Sequence, residues 1–201
     1  MPDHLIVIRA GATEYELQGR IRGTLDVPLA PAGTAEADRI AALLAAAPPD
    51  ALHIAEDLCC EETGRIIGRR CGLKPRRMAG MENLCQGLWQ GMLVDEIRRK
   101  QPRLYRQWQD NPWAVAPPEG ELLEDACHRV EAALETVFLR HPTGRIAIVV
   151  PQPLDQVVRW IVAGESMGDL WESAPAGPGV VELPLAAQWR KARHRETVGG
   201  S

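Results

Sequence analysis

Two adjacent cysteines, Cys59 and Cys60, come just before Arg65 in the sequence, with five residues separating Cys59 from the arginine. At this spacing, after a strand and at the start of a helix, a thiolate can attack phosphorus while a guanidinium holds the phosphate oxygens. The intervening Glu61 and Glu62 oppose such chemistry, because carboxylates repel a phosphate and raise the pKa of a thiol. An ordinary helix start with a solvated acidic face explains the segment better.

The histidines form no second reactive group. His4, His53, His128, His141 and His194 are scattered along the chain, whereas a metal site needs ligands at clustered spacing. The sequence therefore predicts no metal ion and no cofactor.

Apolar strands alternate with amphipathic helices, and this alternation indicates an α/β fold with a parallel sheet. Residues 12–31 are predicted to form a loop that returns over the C-terminal edge of the first strand. Strands are predicted at residues 4–9, 51–55, 145–150 and 179–183, and helices at 34–47, 59–70, 93–111 (with a break at Pro102), 122–141 and 154–163.

The N-terminal motif is the most specific signal in the chain. An apolar strand is followed by Arg9-Ala10-Gly11-Ala12-Thr13-Glu14-Tyr15, Gly19-Arg20, Gly23, Asp26, Pro28-Leu29 and Gly33. This order closely resembles the opening of the histidine phosphatase superfamily, the phosphoglycerate mutase-like proteins, which reads strand, Arg-His-Gly-Glu-Thr, Gly-Arg, Gly, Asp, Pro-Leu and Gly. The resemblance continues at Gly87-Leu88-Trp89-Gln90-Gly91, at Pro117-Pro118 with Gly120-Glu121, and in the apolar strand 146–150.

Four motifs in the correct order imply the fold of that family. We therefore expect a three-layer αβα domain with a mostly parallel central sheet over residues 1–189. Residues 190–201 are polar and end in glycines and a serine, and are predicted to form a frayed tail.

The same resemblance places both catalytic histidines of the family on residues without their chemistry. The nucleophilic histidine falls on Ala10, whose methyl group cannot attack phosphorus or carry a phosphoryl group. The second histidine falls on Pro151, which has neither a side-chain donor nor a backbone N–H. Proline is nevertheless acceptable to the backbone here, because the first turn of a helix has N–H groups without partners.

The second arginine and the acid of the family are also replaced. The arginine falls on Cys60, with Cys59 left open as its replacement, and a thiol lacks the guanidinium fork that holds two phosphate oxygens. The acid falls on Asn83, although a slip of one residue would place it on Glu82. An asparagine cannot donate a proton as a general acid at neutral pH.

The resemblance leaves one set of residues for anion binding: Arg9, Gly11, Thr13, Glu16, Arg20 and Arg22. Arg9 either binds an anion together with Arg20 and Arg22 or pairs internally with Glu16 or Glu14. We expect Arg9 to be largely buried and paired with Glu16 or another nearby carboxylate, since an isolated buried guanidinium is costly. Glu16 stands where the family places an asparagine, and its carboxylate would repel a phosphate dianion. Gly11 is assigned to a tight turn.

Composition and charge argue against several classes of protein. A net charge of −4 does not favour nucleic-acid binding, and no apolar run reaches the ~18 residues that span a membrane. The segment that begins at Met1 does not resemble a signal peptide. Five cysteines, an odd number, predict reduced thiols in a cytoplasmic protein.

The sequence predicts a pseudophosphatase that uses a remodelled cleft to bind a phosphorylated small molecule or protein partner. The alternative is an active phosphomonoesterase or phosphoglycerate mutase-like enzyme with non-standard chemistry, for which a cysteine is one candidate nucleophile.

Overall fold

A five-stranded sheet forms the centre of the protein in this computed structural model, which describes residues 1–167, 170 and 179–185. The strand order is β3-β2-β4-β1-β5; β5 runs antiparallel to β1, and the other pairs are parallel. The mostly parallel sheet confirms the predicted fold class. The strands are β1 (His4–Arg9), β2 (Ala51–Ala55), β3 (Arg76–Met78), β4 (Arg145–Val150) and β5 (Val180–Pro184).

Helices cover both faces of the sheet. Right-handed crossovers place α2 and α3 on one face and α6 on the other, because the chain moves along the sheet in opposite directions before and after β3. Helix α7, which leads to the antiparallel strand β5, packs against α6. The helices are α1 (Glu14–Leu17), α2 (Pro31–Ala45), α3 (Leu58–Cys71), α4 (Val94–Lys100), α5 (Pro102–Asp110), α6 (Leu123–Arg140) and α7 (Leu154–Ala163), with a 3₁₀ turn at Gly87–Trp89.

The bounds of β1 and β4 agree with the prediction, since strands buried on both faces appear in a sequence as continuous apolar runs. The predicted helix 93–111 is two helices, and Pro102 starts the second because a proline disfavours helical backbone in the residue before it.

Two elements were not predicted. The edge strand β3 contains two exposed arginines, so it lacks the apolar alternation that marks a strand. The single turn α1 lies within the predicted loop 12–31. It begins with a capping box in which Glu16 accepts from the Thr13 backbone and Thr13 accepts from the Tyr15 N–H.

The predicted boundary after residue 189 and the tail 190–201 lie outside the described residues and stay predictions. No helix in the described ranges is both long and apolar enough to span a lipid bilayer.

A histidine pair at the N-terminal side of the sheet predicts acid sensitivity. His53 on β2 is buried with its Nε2 3.0 Å from Nε2 of His141. Burial, together with the charges of His141, Arg76 and Arg140, lowers the pKa of His53 to about 4, so the folded protein keeps this ring neutral at neutral pH. Burial likewise lowers the pKa of His141, against the charge of Asp50.

The unfolded chain binds a proton at His53 below about pH 6.5, whereas the folded chain does not until about pH 4. Stability is therefore expected to fall by about 2 kcal/mol as the pH decreases through this window. Urea unfolding at pH 7, 5.5 and 4.5 measures the loss. His53→Phe should reduce the slope, while His128→Phe on the exposed side of α6 should keep it; equal slopes in both variants would contradict the assignment.

Candidate functional site

Three connecting segments meet at the carboxyl edge of the sheet. The register pairs Arg9 of β1 with Val150 of β4, so that Ala10 and Pro151 follow side by side, and the Ala10 N–H donates to the Val150 carbonyl at 2.9 Å. β2 also runs parallel to β4, which brings Asp57 to the same edge. Ligands of open α/β sheets bind in the crevice outside the carboxyl ends of the strands.

A cavity of about 330 Å³ opens at this edge. The segment between β1 and α2 supplies most of its lining, and α2 and α3 contribute Glu36 and Cys59. Five of the six predicted anion-binding residues, Arg9, Gly11, Glu16, Arg20 and Arg22, line it together. Thr13 does not line the cavity; it is fully buried and its hydroxyl donates to the Glu16 carboxylate.

The residue that the resemblance matches to the family nucleophile lies in this lining. Ala10 lines the cavity and is 6% exposed, so its side chain presents an apolar methyl group to the cavity. Pro151 is buried beside it, and its carbonyl accepts from the Asp155 N–H at the start of α7. Neither position offers a ring nitrogen to a ligand.

Arg22 is the centre of a buried ion-pair network. It is 3% exposed; its Nε lies 2.8 Å from Glu16 Oε1 and its Nη1 2.6 Å from Asp57 Oδ2. Burial lowers the pKa of this guanidinium, but the acidic groups of Cys59, Asp57 and Glu16 outweigh burial and raise the pKa above its ordinary value. The Arg22 charge is therefore permanent and already balanced by carboxylates of the chain.

Arg9 does not pair with Glu16, and that prediction is wrong. The partner of Glu16 is Arg22. Glu16 lies on α1 and Arg22 lies on the segment that follows α1, and both side chains line the cavity. Arg9 is half-buried, and within the described part of the chain no carboxylate forms an ion pair with its guanidinium. Burial raises the pKa of Asp155, and the charge of Arg9 opposes that rise.

The backbone donors that follow β1 already have partners within the chain. The Gly11 N–H donates to Thr63 Oγ1 at 3.1 Å, and the Ala12 N–H donates to Glu36 Oε2 at 3.1 Å. An incoming phosphate would have to compete with these side chains for the same donors.

The two cysteines have different surroundings. Both are buried, but Cys59 lines the cavity and its thiol donates to Asp57 Oδ1 at 3.0 Å, whereas Cys60 does not line the cavity. Burial raises the pKa of the Cys60 thiol well above its ordinary value, and Cys59 and Asp57 add to the rise. Cys60, the position matched to the family arginine, therefore remains a protonated thiol at neutral pH.

The segment Cys59–Arg65 is helical, as predicted by its interpretation as an ordinary helix start. Helix α3 begins at Leu58, and Arg65 is exposed on its outer side, so these residues form no loop around a phosphate. The acidic face is not solvated as expected: Glu61 pairs with Arg77 at 2.6 Å, and Glu62 accepts from the Leu29 N–H at 2.8 Å.

The ligand atoms of Asp57, Cys59 and Cys60 lie within 4.8 Å of one another, which is close enough to hold a metal ion. Arg22 already brings a positive charge to Asp57 at 2.6 Å. We therefore describe this group as part of the ion-pair network.

Asn83, rather than Glu82, faces the interior. Asn83 is 2% exposed, and its Nδ2 donates to the carbonyls of Gly23 at 3.0 Å and Gln152 at 2.9 Å. Glu82 is exposed and lies 3.6 Å from Arg129. Asn83 does not line the cavity itself but connects two residues that do.

Two residues of the site were missed in the sequence. Asp57 had a recognisable signal, since it follows a strand and caps α3 by accepting from the Cys59 N–H at 3.1 Å. Glu36 had none, because its position on α2 gives no indication that it reaches the Ala12 backbone.

A ligand-sized cleft at the carboxyl edge of a three-layer αβα sheet, flanked by the first motif, defines a phosphoglycerate mutase-like protein. The sequence profile of the histidine phosphatase superfamily (branch 1) matches residues 5–178. The chain belongs to this superfamily.

Relatives and solved structures agree with this assignment. The chain is 29% identical over 145 residues to phosphoserine phosphatase 1 of Hydrogenobacter thermophilus, covering 72% of this chain and 69% of that protein. It is 30% identical over 148 residues to phosphoglycerate mutase-like protein 4 of Arabidopsis thaliana, covering 72% and 64%. The structure of Bacillus stearothermophilus YhfR superposes with a TM-score of 0.80 at 22% identity, covering 94% and 93% of the two chains.

Proposed function

We propose that this member of the histidine phosphatase superfamily is a binding or regulatory protein that holds an anionic ligand or partner in the cleft and does not hydrolyse phosphomonoesters through a phosphohistidine. The observation that carries the proposal is Ala10 in the lining of the cavity, at the position of the family nucleophile. Without a nucleophile no phosphoenzyme forms, and the methyl group leaves space but no reactive atom.

The remaining positions support the same conclusion. Pro151 offers no donor to stabilise a transferred phosphoryl group, and Asn83 uses its amide to connect two carbonyls instead of protonating a leaving group. Catalytic residues that act as a unit lose most of the rate together, so one surviving arginine does not rescue turnover.

The direct test is phosphohydrolase activity in the wild type and in Ala10→His. We expect no phenol release from phenyl phosphate above the buffer rate in either protein, because the single change leaves the second histidine and the acid absent. Phosphoserine phosphatase 1 of Hydrogenobacter thermophilus serves as the assay control. Thermal unfolding checks that Ala10→His is folded. A stable phosphohistidine or turnover above the buffer rate in the wild type would contradict the proposal, and full activity in Ala10→His would contradict the expected need for the other catalytic groups.

A second candidate is an active phosphomonoesterase that uses a thiol. The names of the relatives favour phosphatase activity, and Cys59 lines the cavity beside the Arg22 network. On this alternative, any turnover should disappear in Cys59→Ser and survive in Cys71→Ser, a half-buried thiol at the end of α3. Turnover that persists in Cys59→Ser would exclude thiol chemistry at that residue.

A further inference from the structure

We infer that the cleft selects a small monoanion with an apolar body, such as a carboxylate, over a phosphomonoester dianion. The inference rests on the proposed function and specifies the ligand class of the same site. The ligand carries one negative charge shared by two oxygens, a chemistry common to carboxylates and phosphodiesters.

The first step is the balance of charge. The cavity lining carries the cations Arg9, Arg20 and Arg22 against the carboxylates Glu16 and Glu36. Asp57 adds a third carboxylate through its 2.6 Å contact with Arg22. Three cations and three carboxylates cancel, so a bound monoanion leaves a net charge of −1 and a bound dianion −2, and the dianion meets the greater repulsion.

The second step is the donors that remain. Arg22 Nη2 is buried and has no hydrogen-bond acceptor among the described residues, while Nε and Nη1 of the same guanidinium are occupied. A buried donor without an acceptor is costly. Because Arg22 lines the cavity, a ligand oxygen that comes within hydrogen-bond distance of Nη2 would remove that cost. Arg9 also lines the cavity and has no paired carboxylate in the described ranges, so it offers a ligand a positive charge beside the Arg22 donor.

The third step is the backbone of the first motif. The Ala12 N–H donates to Glu36, and the Gly11 N–H donates to Thr63 Oγ1 at 3.1 Å. The side chains of the protein thus occupy the backbone donors that a bound dianion would need for its additional oxygen. The donors left for a ligand are guanidinium N–H groups, which suffice for the two oxygens of a carboxylate.

The fourth step is the shape and polarity of the walls. Leu17, Val94 and Leu170 line the cavity together with the methyl groups of Ala10 and Ala12. A volume of about 330 Å³ lies at the small end of ligand pockets, whose walls are mostly apolar with a few placed polar groups. A short aliphatic or single-ring body fits this space.

Isothermal titration calorimetry at pH 8 tests the inference with three probes that share one ring. Benzoate and methyl phenyl phosphate carry one charge, whereas phenyl phosphate carries two, since the second pKa of a phosphomonoester is about 6. We expect both monoanions to bind about fivefold or more tightly than phenyl phosphate, a difference of about 1 kcal/mol. Benzamide, which has the ring without the charge, should show no binding.

Matched variants assign the effect to named residues. Arg9→Met should weaken benzoate binding about tenfold, while Arg103→Met on the exposed side of α5 should leave it unchanged. Glu16→Gln keeps an acceptor for the capping box but removes a charge, so it should improve phenyl phosphate binding and reduce the preference for monoanions.

The outcomes separate the two proposals. Tighter binding of phenyl phosphate than of benzoate would overturn the monoanion inference and leave the anion-binding function standing. Release of phenol during the titration would overturn the proposed function itself. Absence of binding by all three anionic probes would overturn both.

Discussion

Arg22→Met is expected to lower the free energy of unfolding by about 3–5 kcal/mol, because it leaves the buried carboxylate of Asp57 and the half-buried carboxylate of Glu16 without their cation. The size of the effect follows from burial: Arg22 is 3% exposed and contacts both carboxylates within hydrogen-bond distance. Equilibrium unfolding in urea at pH 7 measures the loss.

A charge-neutral replacement of the network separates ion pairing from packing. Adding Glu16→Gln and Asp57→Asn to Arg22→Met should recover a substantial part of the stability, since asparagine caps a helix as well as aspartate and glutamine keeps an acceptor in the capping box. The control is Arg20→Met, because Arg20 is half-buried and has no carboxylate partner among the described residues. Equal losses for Arg22→Met and Arg20→Met would contradict a buried network.

Gly33→Ala is expected to destabilise the protein by about 3 kcal/mol, although alanine is the better helix former and Gly33 lies in α2. A Cβ at this position would lie under 3.0 Å from three backbone atoms of Ala12, and backbone cannot move aside as a side chain can. A Cβ at Gly11 would in turn meet the backbone of Gly33, so the backbone of the segment after β1 is in direct contact with the backbone of α2.

Thr34→Ala, one residue further along α2 and exposed, is the matched control and should be neutral or slightly stabilising. Thermal and chemical unfolding of both variants measure the difference. If Gly33→Ala were as stable as Thr34→Ala, the close approach of the two backbones would not exist in solution.

The architecture was largely predictable because it depends on local patterns. The apolar runs of β1 and β4 gave the bounds of both strands, and Pro102 marked the break between α4 and α5. Strand β3 was not predicted because its pairing with β2, rather than its own composition, makes it a strand.

The positions of site residues were predictable only for residues that directly follow strands of the sheet. Ala10 and Pro151 lie together because parallel strands end at one edge. The pairing of Arg22 with Asp57 was not predictable, since 35 residues separate them and their contact depends on how the first connecting segment folds across α3. The expected partner of Arg9 was wrong for the same reason: proximity in sequence suggested Glu16, but Arg22 occupies that carboxylate.

The two hydrogen bonds of Asn83 also limit how this chain could change over evolutionary time. A glutamate at this position would have no N–H to give to the Gly23 and Gln152 carbonyls, and would place a carboxylate in an interior built around a donor. Introducing a glutamate at residue 83 would therefore weaken the connection between the segments after β1 and β4. On the proposed function, that loss of stability would bring no gain in activity while residue 10 is alanine.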